Sequence, residues 1–81
     1  MIKIIQKHLF NFVYIEEYNY VVPALYDTYN AAKYKALTLQ LDNATFEHCS
    51  DDIAAQIDAI IKTYHAFKYA QRVAELTARK Y

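Results

Sequence analysis

Apolar side chains return along the chain at two helix-like rhythms. The first runs Ile15, Tyr18, Val22, Leu25, Tyr29, Ala32, Ala36 and Leu39, at spacings of 3, 4, 3, 4, 3, 4 and 3. Such a heptad seam predicts a helix lying lengthwise on a neighbour. Pro23 falls inside the pattern and would clash with the preceding turn of a helix interior. The regular helix is therefore expected to begin near residues 19 to 23, with Pro23 in its first turn. The second rhythm runs Ile53, Ile57, Ile60, Tyr64, Phe67, Gln71, Ala74 and Ala78. Ser50 precedes it as an N-cap, Asp51 and Asp52 suit the positive helix end, and Arg79 and Lys80 suit the negative one. The stretch LDNATFEHC between the rhythms has the length of a helix–helix loop. Together they predict an antiparallel hairpin of two long helices.

The first fourteen residues carry two rhythms at once. Ile2, Ile5, Leu9 and Phe12 have helical spacing, whereas Phe10, Phe12 and Tyr14 alternate within a stretch rich in strand formers. A lone strand would need a partner from another chain, so the expectation is a short first helix. The fold predicted over residues 1–81 is all-α and a single domain. It is a three-helix bundle, closed internally or completed by oligomerisation.

Plotted on a helical wheel, the second long helix has more apolar surface than a hairpin can cover. Opposite its seam lie Ala66, Tyr69, Val73 and Leu76, the candidate self-association surface. Beside the seam runs a basic stripe of His65, Lys68, Arg72 and Arg79, with Glu75 among them. Small chains often complete a core by association.

Composition narrows the picture mainly by what is missing. No glycine occurs among the 81 residues, where roughly five or six would be average. Glycine supplies the positive φ of tight hairpins and phosphate loops. Its absence removes nucleotide-binding glycine fingerprints and disfavours a sheet joined by tight turns. Nine basic and nine acidic residues cancel, which gives no general push toward duplex nucleic acid or anionic membrane. The single cysteine, Cys49, allows no internal disulfide and fits a reducing, cytoplasmic setting. No run of about 18 apolar residues predicts a membrane span.

Candidate chemistry is sparse. Glu47, His48, Cys49, Asp51 and Asp52 are metal-ligand types, but their spacing matches no zinc or di-iron pattern, so no metal or cofactor is expected. Ser50 is the only serine and serves as a cap, and Cys49 next to His48 does not make a dyad. No enzyme is expected. Tyrosine, present nine times, offers large contact area at small entropic cost. Tyr18 and Tyr29 fall on the first seam and read as core. Tyr20, Tyr26 and Tyr34, with Lys68, Arg72 and Arg79, form the candidate contact set for a partner protein. Tyr26, Asn30, Lys33 and Tyr34 could instead stack a base and hold a phosphate.

The expected function is a small protein-interaction module that occludes a partner's surface. By analogy this suits the inhibitors encoded by phages and mobile elements, such as anti-defence proteins. The alternatives are a helical oligomer that sequesters a nucleotide or other small anion, and a self-assembling structural subunit.

Overall fold

A computed structural model describes residues 1–39 and 44–78. The fold is α/β: a four-stranded mixed sheet with a helix on each face. This corrects the all-α bundle. The first fourteen residues are a β-hairpin, β1 (Ile2–Lys7) and β2 (Phe10–Ile15), paired antiparallel with Ile4 opposite Val13 and Ile5 opposite Phe12. The partner that a lone strand lacked is the neighbouring segment of the same chain. His8 and Leu9 make the two-residue connection, with φ of 52° and 68°. Two successive positive φ values are what the right-handed twist of a hairpin demands, and the chain meets that demand without glycine.

The first seam is also corrected. Residues 16–28 hold a single 3-10 turn (Glu16–Tyr18), a short strand β3 (Tyr20–Val21) and an extended run, and helix α1 covers only Tyr29–Thr38. Thr28 caps α1, its side-chain oxygen accepting from the Ala31 backbone amide at 3.1 Å. The seam fails upstream because β2 offers those residues a better partner. Val22 donates to the Val13 carbonyl, and Asn11 and Tyr26 exchange both backbone bonds at 2.9 and 3.0 Å. The buried Asn11 side chain adds a third link, donating to the Tyr26 carbonyl. Tyr18 is consequently 80% exposed, not core. Tyr29 does pack on the core, and its hydroxyl donates to the Ala44 carbonyl.

Strand β4 (Ala44–Phe46) lies inside the segment expected to be a helix–helix loop and pairs parallel to β1. The sheet order is β3-β2-β1-β4, so α1 carries the chain from one edge of the sheet to the other. Helix α2 (Asp51–Ala78) is where the second rhythm places it. The Ser50 carbonyl accepts the Ala54 amide, which sets Ser50 at the helix entrance.

Two cores result, one on each face. Ile2, Ile4 and Val13 face α1 and meet Ala32 and Ala36, whose small side chains let that helix approach the sheet closely. Ile5, Phe12, Tyr14 and Val21 face α2 and meet Ile53, Ile57 and Ile61. Successive strand side chains point to opposite faces, so where both faces are covered apolar residues stand consecutively, as Ile4–Ile5 in β1 and Phe12–Val13–Tyr14 in β2 do.

Candidate interaction surface: a projecting helical arm and its groove

Helix α2 spans 28 residues, a length of about 42 Å. Only Ile53, Ile57 and Ile61 of it are buried, and every described residue from His65 onward is exposed. The sheet supports the first half of the helix, and the second half projects as an arm. This is why the largest dimension of the molecule, 51 Å, is about twice the next, 26 Å.

The sequence anticipates the place where support ends. Continued along the helix, the stripe that packs on the sheet becomes Lys68, Arg72 and Glu75, all exposed. The large apolar side chains move to other faces of the arm. Phe67 is 63% and Tyr69 74% exposed, and Val73 and Leu76 stand out beyond them. A helix that merely frayed into water would need no such residues, since an all-polar surface would serve.

At the root of the arm lies an open apolar groove of about 620 Å³. One wall is Ile60, Tyr64 and Phe67 of α2, and the other is Pro23 and Leu25 of the run joining β3 to α1. Tyr64 is held on this site by the edge of Phe10 at 5.9 Å, and the Lys68 ammonium lies 5.7 Å from its ring centre. Among the described residues neither Lys68 nor Arg72 forms a salt bridge. The arm thus combines apolar anchors with unneutralised positive charge.

The remaining candidates are dispersed. Tyr34 lies on the solvent side of α1 with Asn30, Lys33 and Leu37, across the sheet from α2. Tyr20 sits on β3 and is half exposed. Tyr26 packs under α1 against the core, where burial raises the pKa of its phenol. It is therefore separated from the Asn30, Lys33 and Tyr34 stripe with which it was grouped. Ala66, Tyr69, Val73 and Leu76 are all on the arm and all exposed. Arg79 lies outside the described residues.

Glu47 pairs with Lys3 at 2.8 Å, and Lys3 also reaches Glu16 at 3.6 Å. His48, Cys49 and Ser50 line a smaller cavity of about 280 Å³ with Lys3 and Tyr14. Among the described residues no cluster of three His, Cys, Asp or Glu side chains is placed to hold a metal ion. No described helix is long and apolar enough to cross a membrane. Pro23 and Leu25 are the site residues that sequence reasoning missed as a wall. Leu25 reads as a member of a helical seam and Pro23 as part of that helix's first turn, and only the sheet turns them toward α2.

No protein-family description, curated protein or solved structure matches this chain.

Proposed function

We propose that the protein is a small, non-catalytic interaction module that acts by seating the projecting half of α2 against another protein surface. The observation that supports this reading is the arm itself. Fourteen residues of ordered helix, 65–78, carry four large exposed apolar side chains and receive no support from the rest of the fold. A helical segment of that length is marginal in water by itself, so the sequence maintains a surface that is useful only when covered. Aromatic anchors beside a basic group are the residue types that carry binding energy at interfaces.

A photo-activatable cross-linker at Tyr69, in the cells that make the protein, tests the reading. The same probe at Tyr18, exposed in the 3-10 turn that follows β2, is the reference. A protein adduct at position 69 and none at 18 supports the arm as the contact element. Absence of adducts at 69, or equal labelling at both positions, overturns it.

A further inference from the structure

We propose that the groove between α2 and the Pro23–Leu25 run binds a small amphipathic carboxylate. Its apolar body lies against Ile60, Tyr64 and Phe67, and its carboxylate meets the Lys68 ammonium. The site is separate from the arm's contact set. At 3.6 residues per turn, Ile60, Thr63 and Phe67 share one flank of α2, and Tyr69, Val73 and Leu76 share another.

The groove is built into the sheet pairing. Val22 donates to the Val13 carbonyl, and Tyr26 exchanges both backbone bonds with Asn11. A regular antiparallel ladder sets one residue against Phe12 between those two pairs. Here Pro23, Ala24 and Leu25 all stand there, two residues more than the ladder needs. Such a bulge bends the edge and is common beside functional sites. Pro23 suits it, having no amide to give to a ladder. The bulged run becomes the wall that faces α2.

The walls are also held in place. Leu25 and Ile60 pack on the α2-side core. Tyr64 is braced by the edge of Phe10 at 5.9 Å, and the ring of Pro23 fixes its own φ. A preformed site binds without first ordering its walls. Phe67 is the distal lip, 63% exposed, and a ligand in the groove covers it.

Size and chemistry choose the ligand. The volume of about 620 Å³ falls within the roughly 300–1,000 Å³ of small-molecule sites. No charged side chain lines the groove. The lining side chains offer only the hydroxyls of Thr63 and Tyr64 for hydrogen bonding, and Thr63 already donates to the Ala59 carbonyl at 2.9 Å. The body of the ligand is therefore apolar. The charge lies at the Tyr64 end, where the Lys68 ammonium sits 5.7 Å from the ring centre and forms no salt bridge among the described residues. A phosphate is commonly held by a forked guanidinium or several amides. One ammonium at the rim of an uncharged groove suits a single carboxylate.

Titration of the full chain with octanoate at pH 7, followed by amide chemical shifts, tests the site. Saturable shifts confined to residues 24–25 and 59–68 are expected. Octanol, equal in chain length but uncharged, is expected to bind about threefold to fivefold more weakly, as an exposed ion pair allows. Lys68→Gln is expected to bring octanoate down to the affinity of octanol. Phe67→Ser, at an exposed position, is expected to keep the dispersed spectrum of the fold and weaken both ligands. Shifts that do not saturate, or that centre on Tyr69, Val73 and Leu76, would overturn the groove as the site. Equal affinity for octanol and octanoate, or an octanoate affinity untouched by Lys68→Gln, would overturn the carboxylate as its ligand. An adduct or its absence at Tyr69 bears on the arm alone, so the two proposals fail separately.

Discussion

His8, Leu9 and Asn19 hold backbone angles that most sequences assign to glycine, with φ of 52°, 68° and 48°. Asn19 is at ease there, because a short polar side chain tolerates the left-handed region. It also accepts a hydrogen bond from the buried Tyr14 hydroxyl at 3.1 Å, which pins the turn into β3. Leu9 has no such compensation. Its side chain is 85% exposed and gains nothing from burial, while its conformation costs about 1–2 kcal/mol. Leu9→Gly is therefore expected to stabilise the protein by about 1 kcal/mol. For a domain of this size that raises the midpoint of thermal unfolding by roughly 4–8 °C, readable by calorimetry. A fall in the midpoint would mean that residues 8 and 9 do not form this turn. The absence of glycine is thus a poor guide to the absence of tight turns. The chain tolerates strain at two exposed positions instead.

Among the elements, α2 was legible in the sequence and the sheet was not, for one physical reason. A strand with one wet face alternates visibly between apolar and polar residues. Here β1 and β2 are covered on both faces, so Ile4 and Ile5, or Phe12, Val13 and Tyr14, stand side by side and the two-residue period disappears. The heptad from Ile15 to Leu39 arose from another source. Ile15 and Val22 are apolar because they line the α1-side core, and Leu25 because it packs toward α2, a coincidence of positions with a helix behind only its second half, from Tyr29 onward. On the arm, the surplus apolar stripe was readable, because helical spacing holds there without interruption. Elements also meet through charge. Lys7, at the end of β1, donates to Asp58 of α2 at 2.9 Å, with the His8 ring nitrogen 3.5 Å from the same carboxylate. The hydrogen bond from Lys7 holds the Asp58 pKa below its ordinary value, aided by the charges of Lys7 and His8. A carboxylate whose folded pKa is depressed contributes stability above its unfolded pKa, near 4, and loses it as pH falls through the folded value. Asp58→Asn is therefore expected to lower stability modestly at neutral pH, and the two urea-unfolding curves should converge below about pH 4. A gap that persists unchanged in acid would mean that the Asp58 charge does not clamp the hairpin to α2.

The whole molecule is a small α/β body extended by a helix that outruns its support. The body accounts for its own stability through two cores, one on each side of the sheet. The arm does not, since every described residue from His65 onward is exposed. Hydrogen exchange of the α2 amides in the isolated protein tests this most directly. Residues 53–61 should be protected, since Ile53, Ile57 and Ile61 hold them on the sheet. Residues 65–78 should exchange markedly faster, as the arm opens locally without support from the sheet. Arm amides as strongly protected as residues 53–61 would contradict the claim that the helix outruns its support.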